Sequence, residues 1–359
     1  MTKTSNFYQF IKKEISSLSL VLAIFASLGG PWASVQPLFA QQKVDDSDES
    51  AAPGTRGQNG PGDATDELAA KRITPLYIIR EDYDGLNLSY PSKLFVDHVT
   101  KEIYITDTGH GRILVYTYDF YPLFSIGKSD GIKAPVGLAV DPEGYVFIAE
   151  SSGRKDSRAR ISLFNPCLRW KGDIFFSGFE NAEGFRPQNI AINKAGRLYV
   201  AGSDYPGVVV LKEDGTFSHL LSPADALGKG GEQKAPICDV EIDGTGKIYL
   251  LSQEMGRIYV YDDKENFLFK FGKKGGGSGK LSRPRGMAVD DLNKRIYVID
   301  YMRHTASAYS TEGRFLFEFG GKGWARGWFQ YPSDISVDTS GNVLVADTFN
   351  HRVQVLNIE

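Results

Sequence analysis

Histidine and cysteine, which often carry metal or redox chemistry, are scarce in this chain. Its 359 residues include five histidines and two cysteines. There is no C-x-x-C-H motif for haem attachment, no glycine-rich loop before a helix and no G-x-S-x-G turn. These absences exclude the sequence signatures of c-type haem proteins, dinucleotide-binding enzymes and α/β-hydrolases.

The chain also lacks an excess of charge of either sign. Lys and Arg number 41 and Asp and Glu 44, which gives a formal net charge of −3. No global field therefore attracts nucleic acid or acidic membranes, and any basic site must be local.

Long apolar runs are absent except near the N-terminus, where residues 18 to 28 (LSLVLAIFASL) follow Lys12 and Lys13. A run of this length behind a positive flank is typical of a signal peptide and is short for a membrane span. We therefore expect residues 1–40 to be a signal peptide or, as the alternative, an N-terminal membrane anchor. The protein is expected to be exported: periplasmic, extracellular or tethered to the outer side of the membrane. A lipoprotein is excluded, because the first cysteine is Cys167.

Residues 41–71 are acidic and rich in Gly, Pro and Ser, a composition that buries too little apolar surface to fold. They predict a disordered linker between the export signal and the remainder of the chain.

Six segments of similar sequence follow, and each begins with a proline and a short apolar strand. Their prolines are spaced 44 to 52 residues apart, at Pro91, Pro135, Pro187, Pro236, Pro284 and Pro332. Alternating β-branched and aromatic residues between Gly and Asp turns predict four strands in each of the first five segments. Four short antiparallel strands form a blade, whose faces are buried only by stacking against other blades. The sequence therefore predicts an all-β, six-bladed β-propeller over residues 72–359.

The last segment ends after its third strand, at Glu359. Upstream of the first segment, residues 75–91 (PLYIIREDYDGLNLSYP) parallel residues 314–332 (RFLFEFGGKGWARGWFQYP). Residues 75–81 are therefore predicted to supply the fourth strand of the last blade. On this layout Cys167 and Cys238 fall on an outer and an inner strand of different blades, which predicts two buried thiols rather than a disulfide.

Two stretches carry the same motif: VDTSGNVLVADTFNHRVQVLN (337–357) and VDHVTKEIYITDTGHGRILVY (96–116). With them the chain resembles the NHL-repeat family of six-bladed β-propellers over residues 75–359. The third and fourth units depart, with Gly202 and Ser252 where the family has its second Asp, so their loops should be supported differently. The resemblance implies a binding propeller, and some intracellular NHL domains bind RNA on a basic face with stacking aromatics.

Acidic residues recur at two places in the repeat. One set follows the inner strand: Asp97, Asp141, Asp243, Asp290 and Asp338. A second set follows the next strand, with arginines close behind: Asp107, Asp300, Asp347, Arg112, Arg257 and Arg352. A carboxylate repeated at one position of every unit is typical of turns, where it accepts backbone N–H bonds. We therefore assign Asp107, Arg112, Asp300, Asp347 and Arg352 a structural role and expect no catalytic residue.

An enzymatic propeller would need metal ligands that converge on its axis. Peptidyl-amidating lyases of related fold hold zinc with histidines just after the repeat proline. Here those positions are Ser92, Val136, Gln188, Ile237, Arg285 and Ser333. Lactonase-type propellers hold an axial calcium with Glu, Asn and Asp, for which Asn189, Asp239 and Asp334 are the candidates. These three residues lie near strand starts and could approach the axis, but our expectation is that the protein has no cofactor or metal.

Two loops break the symmetry of the repeat, because they concentrate positive charge and tryptophan. They are residues 272–285 and 320–331, with Lys273, Lys274, Lys280, Arg283, Arg285, Lys322, Trp324, Arg326 and Trp328. One interpretation is solvated loops with aromatics that plug the gap between blades. The other is a cationic partner-binding site, with Trp324 exposed.

The sequence favours an exported, monomeric, non-catalytic binding or assembly module, whose partner is a protein or an anionic glycan of the cell envelope. A metal-dependent lactonase- or lyase-type enzyme is one alternative. An RNA-binding NHL domain is the other, although an export signal makes nucleic acid an unexpected partner.

Overall fold

The computed structural model describes residues 72–152, 158–226 and 231–359. They form six four-stranded antiparallel sheets and one two-stranded sheet. The helices among them are three 3₁₀ turns, at Lys128–Asp130, Ala182–Gly184 and Thr348–Asn350. The predicted all-β, six-bladed propeller is confirmed.

The strands follow one another blade by blade. Strand β1 is Ile73–Ile79. Blade 1 comprises β2 (Pro91–Asp97), β3 (Glu102–Asp107), β4 (Arg112–Thr117) and β5 (Pro122–Ile126). Blade 2 comprises β6 (Pro135–Val140), β7 (Val146–Glu150), β8 (Arg160–Phe164) and β9 (Trp170–Phe175). Blade 3 comprises β10 (Pro187–Ile192), β11 (Leu198–Gly202), β12 (Val208–Leu211) and β13 (Phe217–Leu221).

A short hairpin precedes the second half of the ring and comprises β14 (Ala224–Asp225) and β15 (Gln233–Lys234). Blade 4 comprises β16 (Asp239–Ile242), β17 (Ile248–Ser252), β18 (Arg257–Tyr261) and β19 (Phe267–Phe271). Blade 5 comprises β20 (Pro284–Asp290), β21 (Arg295–Asp300), β22 (Thr305–Ser310) and β23 (Phe315–Gly320). Blade 6 comprises β24 (Asp334–Val337), β25 (Val343–Asp347), β26 (Arg352–Ile358) and the N-terminal strand β1.

The inner strands define the two ends of the propeller. We call the end that carries the six repeat prolines the proline face. The opposite end carries the turns that follow each inner strand, and we call it the Asx face. There Asp338 Oδ1 accepts the backbone N–H groups of Ser340 and Asn342 at 2.8 and 2.9 Å. These bonds give the backbone N–H groups of the turn an acceptor, so the chain can reverse direction without exposing unpaired N–H groups.

The core consists of layers between neighbouring blades. Tyr297 and Ile299 of β21 share one cluster with Ile335 and Val345 of blade 6, and all four are almost fully buried. Full burial of a side chain of this size stabilises the fold by about 1.5–3 kcal/mol. Each blade therefore depends on its neighbours for most of its stability.

The ring closes through its two chain ends, as predicted. Strand β1 pairs antiparallel with β26, with Ile79 opposite Val353. Beyond the strands, Arg72 and Glu359 exchange both backbone N–H···O bonds, at 3.2 and 3.0 Å. This pairing covers the edge that β26 would otherwise expose to solvent.

Blades 3 and 4 replace the missing repeat aspartate in two different ways. In blade 4, where Ser252 stands at that position, Arg257 pairs instead with Asp225 of the hairpin, Nε to Oδ2 at 3.4 Å. In blade 3, a Cβ at Gly202 would lie 2.3 Å from the Phe185 ring, so glycine makes room for an aromatic cluster. Phe185 stacks edge-to-face on Tyr205, at 5.1 Å between ring centroids.

The expectation of two buried thiols is wrong for Cys167. Both cysteines are free, but Cys167 is exposed. It lies in the turn between β8 and β9 rather than on a strand. Cys238, just before β16, is largely buried, and burial raises the pKa of its thiol to about 12.

The predicted signal peptide or anchor (1–40) and linker (41–71) lie outside the described residues. Within those residues, no helix has the length and apolar character needed to cross a bilayer.

The closure can be tested within β1 itself. Ile79 is 2% exposed and contacts blades 1 and 6, so Ile79→Ala should lower the free energy of unfolding by about 2–4 kcal/mol. Leu76 lies in the same strand but is 47% exposed, so Leu76→Ala should cost less than about 0.5 kcal/mol. Deletion of residues 72–83 should cause aggregation or a large fall in melting temperature. A truncated protein that melts cooperatively at the parent temperature would contradict this closure.

Candidate functional site

The inner strands place one residue each at a common level of the central channel. In most blades a register shift follows the proline, so this residue pairs with the penultimate residue of the second strand. The six residues at this level are Lys93, Gly137, Asn189, Asp239, Gly286 and Asp334.

Lys93 crosses the channel from blade 1 and binds two carboxylates. Its Nζ donates to Asp239 Oδ1 of blade 4 at 2.8 Å and to Asp334 Oδ1 of blade 6 at 3.1 Å. The second carboxylate oxygens accept backbone N–H bonds from other blades: Asp334 Oδ2 from Leu94 at 2.8 Å and Asp239 Oδ2 from Met287 at 2.9 Å. This axial cluster therefore joins opposite and adjacent sides of the ring.

Asparagine and glycine complete the axial level. Asn189 Nδ2 donates to Asp239 Oδ1 at 2.5 Å. A Cβ at Gly286 would lie 2.0 Å from Asp334 Oδ1, and one at Gly137 would lie 2.9 Å from Asn189 Oδ1. Glycine at these two positions gives the polar side chains of the next blade the space to turn towards the axis.

The cluster holds more acid than base. Burial alone would lower the pKa of Lys93, but the charges of Asp239 and Asp334 outweigh burial and raise that pKa above its usual range. Glu241 lies two residues beyond Asp239. Burial raises its pKa well above its ordinary value, and the two aspartates add to the rise. Burial likewise raises the pKa of Asp334 to about 7, against the pull of Lys93.

The three residues considered as calcium ligands do meet near the axis. Asn189, Asp239 and Asp334 converge, but the Lys93 ammonium lies between the two carboxylates. Among the described residues, no group of three or more His, Cys, Asp or Glu side chains is arranged to hold a metal ion. Sequence reasoning missed Lys93. Its signal was a lysine at a repeat position that is otherwise Gly, Asn or Asp.

Above the cluster, the channel opens on the proline face into a funnel of about 500 Å³. Its floor includes Lys93, and its wall carries three arginines, Arg186, Arg283 and Arg285, and two acids, Asp204 and Glu254. Hydroxyl and amide side chains line much of the remainder, among them Ser92, Thr108, Gln188, Ser203, Gln253 and Ser333. A volume of this size suits a small ligand or the end of a longer one.

The nine loop residues chosen from the sequence lie on or next to the proline face but differ in exposure. Five cations extend into solvent: Lys273, Lys280, Arg283, Lys322 and Arg326. Trp324 is 79% exposed. Arg285 is partly buried, with its Cζ 4.1 Å from the centroid of the Tyr301 ring.

Lys274 and Trp328 make intramolecular contacts instead. Lys274 Nζ donates to the carbonyl oxygens of Gln253 and Ser282, both at 2.7 Å, so it holds its own loop closed. The Trp328 ring packs over Gly321, and its carbonyl oxygen accepts a bond from Gln354 Nε2 at 2.7 Å. These two residues therefore support the loops rather than extend from them.

The repeated aspartates anchor the loops of the proline face. Asp347 Oδ2 accepts Arg352 Nε at 2.7 Å, and Asp107 Oδ2 accepts Arg112 Nε at 2.8 Å. Asp107, Asp300 and Asp347 each also accept a backbone N–H of the incoming loop, at 2.5–2.7 Å. Each of these carboxylates joins two loops of its own blade.

Histidines join blades 5 and 6, and blades 6 and 1. His304 Nδ1 accepts the Tyr331 N–H at 2.9 Å, and His351 Nδ1 accepts the Tyr90 N–H at 3.2 Å. Each tyrosine precedes a repeat proline and has positive φ, at 47° and 51°. Burial, with the charge of Lys322, lowers the pKa of His304, which keeps its Nδ1 free to accept. These bonds fix the tyrosine rings on the proline face.

Comparisons with known proteins agree with this architecture. Residues 329–356 match the NHL repeat, and residues 235–319 match a family described as a 6-bladed beta-propeller. A search of curated proteins found no significant match. The chain is thus a six-bladed β-propeller, and the part of it that matches the NHL repeat, residues 329–356, contains most of the motif noted at 337–357.

Solved structures show the same fold at low sequence identity. An auxiliary nutrient binding protein from Bacteroides thetaiotaomicron is 13% identical with a TM-score of 0.59, over 80% of this chain and 76% of that one. Another from Bacteroides ovatus is also 13% identical, with a TM-score of 0.58, over 80% and 77%. A streptogramin B lyase is 11% identical with a TM-score of 0.52, over 80% and 97%. At these identities the similarity concerns the fold alone.

The axial cluster predicts a strong effect of removing its cation. Lys93→Met should lower the free energy of unfolding by about 3–5 kcal/mol, because two buried carboxylates lose their counter-charge. Combining it with Asp239→Asn and Asp334→Asn should restore much of that loss. Urea unfolding measures both, and a Lys93→Met protein of parental stability would contradict the cluster's role.

Glu241 predicts a pH dependence of stability. Its carboxyl titrates near 4.5 when unfolded and well above that when folded, so the folded state binds the proton more tightly. Stability should therefore fall as pH rises above about 4.5 towards the folded pKa, and the raised pKa of Asp334 acts in the same direction. In melting curves between about pH 5 and pH 8, Glu241→Gln should show a shallower fall than the parent. Exposed Glu213→Gln is the matched control, and a Glu241→Gln profile that coincides with it would refute the assignment.

Proposed function

We propose that this protein is an exported, non-catalytic binding module that captures a protein or an anionic glycan of the cell envelope on its proline face. The observation that carries the proposal is the group of exposed cations around Trp324, on the loops that leave blades 4 and 5. These residues stand outside the packing that holds the propeller together.

The charges of this group are available to a partner. Lys273, Lys280, Arg283, Lys322 and Arg326 form no ion pair with any carboxylate in the described ranges. A positive group without internal partners attracts an anionic surface over about 8 Å at physiological salt. It raises the association rate and favours anionic partners over cationic ones.

Trp324 supplies the apolar part of such a site. A side chain 79% exposed loses much apolar surface to water on binding, and tryptophan is enriched among the residues that dominate interface energies. The nutrient-binding description of two proteins of the same fold supports a binding role.

The metal-dependent alternative meets an obstacle on the axis. Asp239 and Asp334 would have to release Lys93 and backbone N–H groups before they could bind an ion. The streptogramin B lyase is 11% identical to this chain, so its similarity concerns the fold and supports no activity here. We expect the propeller to act as a monomer.

Charge reversal tests the proposal directly. The triple variant Lys273→Glu, Lys280→Glu, Lys322→Glu should bind immobilised polygalacturonate and poly-L-glutamate at least about tenfold more weakly than the parent. Lys274 is left intact because it holds its loop closed. Trp324→Ala should weaken the free energy of binding to these polyanions by about 2 kcal/mol and leave the melting temperature unchanged. Biolayer interferometry at several salt concentrations measures the affinity, and thermal melting measures the fold.

A matched control reverses charge at the other end of the molecule. Lys101, Lys212 and Lys264 are exposed in turns of the Asx face, and their replacement by Glu produces the same change in net charge. This control should keep most of its affinity. Equal losses in the two triple variants would show a non-specific charge effect and would overturn the proposed site, as would binding that does not weaken with salt.

A further inference from the structure

A row of aromatic rings crosses the proline face from the funnel to the seam between blades 6 and 1. It is formed by Tyr301, Tyr331, Phe349 and Tyr90, whose successive ring centroids lie 5.0, 5.0 and 5.5 Å apart. Phe349 and Tyr90 are 42% and 44% exposed. The rings come from loops of three different blades.

Each end of the row reaches a polar hollow. At one end Tyr301 lies under the guanidinium of Arg285, which lines the axial funnel. At the other end Tyr90 packs against His351, with ring centroids 4.4 Å apart. His351 lines a second hollow of about 380 Å³, together with Arg80, Asn87, Trp324 and Asn350. Funnel, aromatic row and second hollow are therefore joined by direct contacts.

The funnel offers donors and acceptors together. Arg186, Arg283 and Arg285 form no ion pair with a carboxylate in the part of the chain that the structure describes, and a guanidinium binds a carboxylate in a bidentate manner. Asp204 and Glu254 on the same wall accept hydrogen bonds, and the surrounding hydroxyl and amide groups do both.

We propose that the axial funnel and the aromatic row together bind an acidic oligosaccharide built from uronic-acid units. A carboxylate of the chain enters the funnel and pairs with Arg285 and its neighbours. Sugar rings lie along Tyr331, Phe349 and Tyr90, and the far end reaches the hollow beside Trp324. This inference rests on the proposed binding function and names the ligand class for the proline face.

The combination of groups favours this ligand over other anions. Aromatic rings present flat apolar faces, which suit the C–H faces of sugars. The hydroxyl and amide groups of the funnel, and the Asn87 and Asn350 amides of the second hollow, suit sugar hydroxyls. An acidic peptide carries no sugar ring to place along the aromatic row, so it would pair with the arginines of the funnel but leave the exposed faces of Phe349 and Tyr90 in water.

The experiment uses the full chain and a hexamer of galacturonic acid as the probe. Isothermal titration calorimetry should show saturable binding. The methyl-esterified hexamer should bind at least about tenfold more weakly, because it cannot pair with the arginines. A glutamate hexapeptide and a single-stranded RNA hexamer serve as competing anions, and each should bind more weakly than the uronate.

Two sets of variants locate the site. Arg285→Lys keeps the charge but loses the bidentate geometry, and should weaken the uronate severalfold while binding of its ester hardly changes. The pair Tyr90→Leu, Phe349→Leu keeps apolar side chains but removes two rings, and should weaken binding about tenfold. Tyr121→Leu, which removes a 61% exposed ring from the β4–β5 turn of the Asx face, should leave the affinity unchanged.

The outcomes separate this inference from the broader proposal. Absent binding of the hexamer, equal binding of uronate and ester, equal binding of peptide or RNA, or indifference to the ring variants would each overturn the oligosaccharide site. The proposed function would survive any of these results if binding to the immobilised polyanions is still weakened by reversing the charge of the loop lysines. If the triple lysine variant binds the polyanions as tightly as the parent, while the hexamer binds as expected, the binding site would be restricted to the funnel and the aromatic row.

Discussion

Ring closure by β1 and β26 is the constraint on which the rest of the molecule depends. Each blade buries its faces only against its neighbours, so an open ring would leave two faces and one strand edge in water. The backbone exchange between Arg72 and Glu359 and the burial of Ile79 join the ends of the described chain. Once the ring is closed, the six inner strands must converge on a narrow axis. The side chains at that level then interact across the whole molecule.

At the axis, Lys93 provides the positive charge that lets two aspartates of distant blades face one another. Burying three charges costs desolvation energy, which is offset only because nearly every carboxylate oxygen has a donor. The cluster also divides the channel. A polar funnel remains on the proline face, and the hollow lined by Glu241 remains on the Asx face. The ligand site that we propose therefore lies at the mouth of the channel rather than at its centre.

The six blades have similar strands, but the loops that they place on the proline face differ from blade to blade. Blades 5, 6 and 1 carry His–Tyr contacts that hold tyrosine rings at the surface, whereas blade 3 uses aromatic rings internally, around Phe185 and Tyr205. The exposed cations lie on the loops between blades 4 and 5 and between blades 5 and 6. The surface that we propose for binding thus lies mainly on one half of the ring, next to the funnel.

The sequence by itself determined the repeat, the number of blades and the strand that closes the ring, whose bounds are Ile73–Ile79 rather than the predicted 75–81. These follow from periodic hydrophobicity and turn chemistry, which are local and are written along the chain. It also indicated that Asn189, Asp239 and Asp334 approach the axis, and that two loops are cationic. Only the tertiary structure decided that Lys93 lies between the two carboxylates and that Lys274 is engaged in its own loop. The exposure of Cys167 was likewise visible only in the structure. So was the position of Tyr90 on the same surface as Tyr331, which lies 241 residues later in the chain. The physical reason is that such contacts join residues far apart in sequence, and their geometry is set by the closed ring rather than by any neighbouring residue.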